Sequence, residues 1–433
     1  MYLTGRLPLL VALGALPVVL LSFAGISAWV ACAGWILLCA VLAVADASFA
    51  TNPNRMRVSR SAPAKARLDE SVATAVTVTN LAARTLHGRL RDAWQPTAGA
   101  SAERYPLTIP AGESRTITVA LRPRRRGELT SQFVVVRSDG PLRLAGRQRR
   151  LDSVAAIRVL PPFTSRRHLP SRLARLRELD GNTSVQVRGQ GTEFDSLREY
   201  VRGDDVRSID WRATARSSTT MLRTWRPERD RHVAILIDTG RTSAARVGDG
   251  VRLDAAMEAA LLLAALATRA GDHVHLVMFD RVVRGRVTRV DGTALLPALV
   301  DAMAPVEPQL IDTDWDAAFA AVRALTSRPS LVVVLTAQDA TEAARGFLGS
   351  LPGLAQRSHV LVGAATDEEI ALPARATAEE IYRQAAHERT AMDAARVVAA
   401  IARADAEAIS ASPDALPPKI ADRYLDLKAQ GRL

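Results

Sequence analysis

From residue 7 to residue 45 the chain carries 39 consecutive residues without a formal charge. No other feature constrains the fold as strongly. As one α-helix this run would measure about 58 Å, roughly twice a hydrocarbon core of about 30 Å. Two helices fit, turning at Ser22-Phe23-Ala24-Gly25-Ile26-Ser27, where small and polar residues cluster. A cleaved leader has an apolar region of only about 7–15 residues, so the length argues against one. Arg6 precedes the run, and Arg55, Arg57, Arg60, Lys65 and Arg67 follow it. Positive flanks stay in the cytoplasm. The expectation is a transmembrane helical hairpin over residues 1–50, with everything after it cytoplasmic.

Composition limits the rest. With 48% hydrophobic and 24% charged residues, disorder, collagen and coiled coil are excluded as the dominant state. Aromatics make up 4%, so the core must be aliphatic. The only cysteines, Cys32 and Cys39, sit inside the apolar run, which excludes a disulfide-stapled or zinc-ribbon protein. Residues 51–165 read as an antiparallel β-sandwich. Val72-Ala73-Thr74-Ala75-Val76-Thr77-Val78-Thr79 and Arg115-Thr116-Ile117-Thr118-Val119-Ala120-Leu121 alternate in character, and turn signals such as Pro110-Ala111-Gly112 and Asp139-Gly140-Pro141 separate the strands.

From residue 231 to 433 the pattern alternates strand and helix. Apolar strands at 232–237, 273–279, 331–336 and 358–362 are separated by helical stretches at 252–269, 313–325 and 379–406, with a final helix at 420–430. Near-continuous apolar strands imply a parallel sheet covered on both faces, hence an α/β domain.

The net charge of +12 is concentrated. Residues 120–175 hold 14 arginines against Glu128, Asp139 and Asp152. Such an arginine belt suits an anionic lipid surface; a solvated face is the competing reading. No nucleic acid is expected, because aromatics for base stacking are not interleaved.

The densest segment lies in the linker 166–230, from Gly191 through Glu193, Arg198, Asp204, Asp205, Arg207, Asp210 and Trp211 to Arg216. Two readings compete. The alternating signs suit a bidentate Arg–carboxylate network that fixes packing. Alternatively Glu193, Asp204, Asp205 and Asp210, with Trp211, line a binding or hydrolytic site. Gly-x-Ser-x-Gly, Walker A and His-Glu-x-x-His motifs are missing, and Gly189-Gln190-Gly191 lacks the third glycine of a dinucleotide loop. His273 and His275 alternate along a strand, as satisfied histidines or a metal pair.

This segment resembles the signature of the bacterial family called domain of unknown function 58. Gly191, Glu193, Phe194, Arg198, Tyr200, Gly203, Asp204, Arg207, Ile209, Asp210, Trp211, Ala215 and Arg216 match it in order. Arg223, Trp225, Glu228, Arg229 and the ending Tyr424-Leu425-Asp426-Leu427-Lys428 also fit. The resemblance implies a von Willebrand factor type A-like doubly wound sheet, a MoxR-type AAA+ ATPase as partner, the bacterial inner membrane as location and a role in the cell envelope or stress response. It also implies a Mg²⁺ loop at Asp238-Thr239-Gly240-Arg241-Thr242, helped by Thr313. Gly240 and Ala337 lack the oxygens that hard-cation ligation needs, Asp339 is a nearby substitute, and Arg241 adds a repelling charge. A vestigial metal loop is expected. The function expected is a non-enzymatic, membrane-anchored adaptor presenting Asp238 and Thr242.

Overall fold

The computed structural model describes residues 1–101, 104–182, 193–202, 204–226, 231–248, 250–326, 329–367 and 377–433. It has a mixed α/β fold in two compact units, Met1–Pro161 and Pro162–Leu433.

The first unit begins with β1 (Tyr2–Leu3), followed by α1 (Arg6–Leu13), α2 (Ala15–Phe23) and α3 (Ala28–Phe49). At Gly14, between α1 and α2, an added Cβ would fall 2.0 Å from Trp35 Nε1 on α3, so glycine lets the helices approach. The Trp35 indole donates to the Leu10 carbonyl at 3.3 Å. The 22 residues of α3 span about 33 Å, and both arms are long and apolar enough to cross a membrane. Phe23, Trp29, Leu37 and Val44 are exposed, the inverse of a water-soluble helix pair.

Eight strands follow: β2 (Met56–Ser61), β3 (Lys65–Arg67), β4 (Val72–Asn80), β5 (Leu86–Trp94), β6 (Tyr105–Ile109), β7 (Ser114–Leu121), β8 (Gly127–Asp139) and β9 (Ala145–Leu160). They form a sheet in the order β1-β9-β8-β5-β6, with β3 on β9, and a second sheet β2-β4-β7. Strand β4 buries Thr74, Val76, Val78 and Asn80 and turns Ala75, Thr77 and Thr79 outward. Its inner face meets Leu86, Leu90, Leu107, Ile109, Val134 and Val136 of the other sheet. The strands are not all antiparallel, because β3 pairs with β9 in parallel. A three-residue edge strand that accompanies a crossing between sheets is free to take either direction.

The hairpin is also not a separate module. Asp46, on the last turn of α3, is 2% exposed. Its Oδ1 accepts the Leu142 N–H at 2.7 Å, and its Oδ2 accepts those of Leu144 and Ala145 at 2.7 and 3.0 Å. Arg147 Nε donates to the Ala47 carbonyl at 2.9 Å, and the Tyr2 hydroxyl bonds Asp139. Burial, then the Asp139 contact, push the Tyr2 hydroxyl well above its usual range.

The second unit contains α4 (Leu169–Asn182), β10 (Glu193–Glu199), α5 (Trp211–Thr214), β11 (Met221–Arg226) and β12 (His232–Asp238). There follow a two-strand ribbon β13 (Arg246–Val247) and β14 (Gly250–Val251), then α6 (Arg252–Arg269), β15 (His273–Phe279), β16 (Val283–Val287), α7 (Leu295–Met303) and α8 (Trp315–Arg323). The last elements are β17 (Leu331–Leu335), α9 (Arg345–Ala355), β18 (His359–Ala365), α10 (Ala378–Arg403), β19 (Glu407–Ala411) and α11 (Leu416–Ala429). The sheet order is β16-β15-β12-β17-β18-β19, parallel except for edge strand β16. Helices α8, α9 and α10 cover one face through Trp315, Phe319, Phe347, Leu351 and Ile401. Buried on both faces, β17 is apolar throughout.

Residues 166–182 of the stretch read above as linker, with Thr164 and Ser165 from the end of the stretch read as sandwich, are built into this unit. Glu258 of α6 accepts Thr164 Oγ1 and Ser165 N at 2.6 Å, and Arg172 and Arg175 of α4 pair with Asp422 and Asp426 of α11 at 2.7 and 2.6 Å. The arginine belt 120–175 therefore divides: Arg166, Arg167, Arg172 and Arg175 belong to the second unit and the others to the first.

Candidate functional site

Chain connections leave β12 toward β15 on one side and return to β17 on the other. In such sheets ligands gather at the carboxyl ends of the strands that flank this switch. Asp238 ends β12 and Thr336 follows β17 there. Asp238 is 1% exposed, and its carboxylate is saturated. Oδ1 accepts Gly240 N–H at 2.8 Å and Thr313 Oγ1 at 2.5 Å; Oδ2 accepts Thr242 Oγ1 at 3.0 Å and Thr336 Oγ1 at 2.6 Å. Four donors fill about four lone-pair positions. Three loops thus meet on one anion, and Ser243 Oγ ties the first of them to the Asp238 carbonyl at 2.6 Å. Backbone bonds from Arg241 N to Ile311 O, 2.9 Å, and from Gln309 N to Thr239 O, 2.7 Å, close the rim.

This arrangement does not fit Mg²⁺. The hydroxyls that would ligate the ion point their protons at Asp238. A Cβ on Gly240 would lie 2.3 Å from Thr313 Oγ1, so Thr313 fills the place of a serine side chain. Asp339 is not a substitute ligand, because it pairs with Arg252 at 2.8 Å. Arg241 adds no repulsion at Asp238: it turns outward to Asp312 at 2.7 Å, where both side chains reach solvent and can pair. Among the described residues, no group of three or more His, Cys, Asp or Glu could hold a metal ion.

Sequence reasoning missed Asp280. It follows β15 as Asp238 ends β12, and that position was the available signal. Its carboxylate accepts Thr239 Oγ1 at 3.1 Å, Arg284 Nε at 2.6 Å, and the Arg281 and Val282 N–H groups. Burial pushes the Asp280 carboxyl up, but these bonds, led by Arg284, outweigh it and hold it below the usual carboxylate range.

The histidines lie at the opposite end of the sheet. His232 stacks on His273 and on His275 with centroids 5.2 Å apart, and His232 Nδ1 and His275 Nε2 share a proton site at 3.0 Å. Burial, then the neighbouring His232 and His273, push His275 below its usual value.

The signature forms the β10–β11 hairpin, in which Phe194 and Trp225 are register partners. Its acids serve local architecture. Asp204 bonds Arg198 Nη2 at 2.7 Å and the Val201 N–H at 3.0 Å. Asp205 accepts the Arg207 N–H at 3.0 Å. Asp210 caps α5 through the Arg212 and Ala213 N–H groups, both at 2.9 Å, and bonds Arg223 Nε at 2.7 Å. The Ala213 bond, then Arg223, hold Asp210 below the usual range. Glu193 starts β10 opposite Arg226. Trp211 opens α5 and is exposed. Gly189, Gln190, Gly191, Gly203, Glu228 and Arg229 lie outside the described residues. The structure thus brings Asp238, Thr242 and Thr313 together at the rim, and Arg198, Asp204, Asp205, Arg207, Asp210 and Trp211 on the hairpin.

The terminal motif is structural too. Tyr424 is buried with its hydroxyl on Asp272, and Lys428 Nζ reaches the same carboxylate at 3.0 Å, so α11 is pinned to the turn after α6.

Residues 196–406 match the family model described as "Protein of unknown function DUF58". These residues belong to the DUF58 family. No curated protein matches it. Solved structures similar to this DUF58 protein cover 24% of it. They include the solution structure of the CARDB domain of a Pyrococcus furiosus protein, 13% identical over 94% of that chain with a TM-score of 0.19. A beta-glucosidase from Listeria innocua is 18% identical over 16% of that chain, TM-score 0.17. A complex of zinc 2-glycoprotein and prolactin inducible protein from human seminal plasma matches at 15% identity over 92% of that chain, TM-score 0.19. Scores this low carry no argument.

Proposed function

We propose that this DUF58 protein is a membrane-anchored adaptor of the bacterial inner membrane. Its soluble domains face the cytoplasm, and its second unit is a von Willebrand factor type A-like domain that docks a MoxR-type AAA+ ATPase in cell-envelope assembly or the stress response. One observation carries the reading. Three loops are locked onto the saturated Asp238, which yields a rigid rim with no lone pair left for acid–base chemistry. Beside it Leu310 stands 82% exposed, next to the Arg241–Asp312 pair. A rigid rim bearing one exposed apolar anchor and two charges suits a protein partner. The strand order and its antiparallel edge strand support the type A-like assignment. The hydrolase reading of Glu193, Asp204, Asp205 and Asp210 gains no support, because the bonds of the last three shape turns. Arg143 and Arg147, beside the end of α3, keep the anionic-lipid role for the first-unit part of the belt.

The test is capture from a detergent extract, with nucleotide present, using the full chain. Wild type retrieves the ATPase, Leu310→Asp loses at least about tenfold of it, and Asp238→Ala loses it through collapse of the rim. Equal retrieval by wild type and Leu310→Asp would overturn the assignment of the rim.

A further inference from the structure

The tip of the β10–β11 hairpin displays what its internal bonds do not use. Trp211, Val201 and Val206 are 71%, 61% and 60% exposed. Asp204, Asp205 and Asp210 hold the turns of the tip on which these side chains sit. Arg202, Arg207, Arg212 and Arg216 neighbour them in the sequence of the tip, all exposed. Arg198 and Arg223 are neutralised by Asp204 and Asp210. Among the described residues, none of the other four arginines has an ion-pair partner.

A tryptophan flanked by arginines is the composition of a membrane interface. The indole prefers the headgroup level, arginine stems lie along apolar surface while their guanidinium groups reach phosphate, and an anionic leaflet attracts each cation. Guanidinium also matches phosphate oxygens bidentately. The chain supplies the bilayer itself, through two helices long and apolar enough to span it. Tethering makes the contact intramolecular, so weak individual contacts suffice. We propose that this tip docks on anionic phospholipid, with Trp211, Val201 and Val206 entering the headgroup layer and Arg202, Arg207, Arg212 and Arg216 on the phosphates. The inference rests on the membrane anchor and is independent of the ATPase.

The experiment uses the full chain in nanodiscs of phosphatidylglycerol or of phosphatidylcholine, with trypsin cleavage after the four arginines followed by mass spectrometry. Cleavage is expected to be about tenfold slower in the anionic discs. Salt near 0.5 M should erase the difference, since the Debye length falls to about 4–5 Å. Trp211→Ala should weaken the protection while leaving circular dichroism unchanged. With brominated phosphatidylglycerol, the quenched part of the fluorescence should fall in Trp211→Phe. Equal cleavage in both lipids, or protection that appears only on adding a soluble protein, overturns the proposal. A chain that stays with the discs while its arginines are cut equally overturns the docking and leaves the anchor standing.

Discussion

Asp46→Ala tests whether the apolar helical hairpin and the strand domain form one rigid piece. The carboxylate receives three backbone N–H groups from the β8–β9 turn, at 2.7, 2.7 and 3.0 Å. Hydrogen bonds to a charged group contribute about 1.5–3 kcal/mol each, and a buried donor left alone costs about 1–3 kcal/mol. The three act on one acceptor and do not add, so a loss of about 4–5 kcal/mol is expected, near the lower end of a whole domain's stability. Asp46→Asn keeps one acceptor oxygen but turns an NH₂ toward facing donors, and about 2–3 kcal/mol is expected. The assay is amide hydrogen exchange at Leu142, Leu144 and Ala145 in the full chain held in nanodiscs. At about 1.4 kcal/mol per decade, Asp46→Ala should speed exchange roughly a thousandfold, with Asp46→Asn between it and wild type. Gly140→Ala should act in the same direction, because its Cβ would lie 2.4 Å from the Asp46 carboxylate. Exchange within tenfold of wild type in Asp46→Ala would refute the idea that this carboxylate holds the turn.

Other consequences follow from the same geometry. Gly240→Ser should destabilise the second unit by about 1–3 kcal/mol through its clash with Thr313, and Thr313→Ala should partly relieve it in a double-mutant cycle read by chemical denaturation. Calorimetry on the wild type should detect no Mg²⁺ binding tighter than roughly 10 µM. His275 titrates below its unfolded value, so the unfolded chain binds the extra proton first. Stability should fall as pH drops through about 6.5 toward the folded value, and His275→Gln should flatten that slope in thermal melts. A reporter fused after Leu433 should be active only in the cytoplasm, and alkaline phosphatase activity from that fusion would sink the assigned orientation.

Periodicity carried most of the secondary structure. The strand at 273–279 is found with those bounds, and the long helix after β12 runs from Arg252 to Arg269. The edge elements escaped. Strand β16, Val283–Val287, alternates arginine with valine and glycine, and β19, Glu407–Ala411, has a single large aliphatic residue, so neither shows an apolar run. Local patterns also cannot show long-range capping. Asp46 reads in sequence as the residue that ends an apolar run, and its partners lie about a hundred residues away. At the rim, the family resemblance pointed to Asp238, Thr242 and Thr313. That Thr313 occupies the room left by Gly240 depends on a loop from another strand, as does the turning of Arg241 toward Asp312.

One device recurs at three places and bears on the choice between adaptor and enzyme. Asp46, Asp210 and Asp238 each gather several donors and hold turns or loops on a single carboxylate. A general base needs a lone pair open to the substrate, and a nucleophile needs an approach path. At Asp238 both oxygens carry two donors, and at Asp210 one oxygen carries two backbone N–H groups while the other meets Arg223. The Ala213 N–H and Arg223 also hold Asp210 below the usual carboxylate range. The family signature and the rim therefore share a physical purpose: they fix loops in place. What they leave outside, Leu310 at the rim and Trp211 on the hairpin, is apolar, exposed and flanked by charge, the composition that the proposed adaptor role calls for.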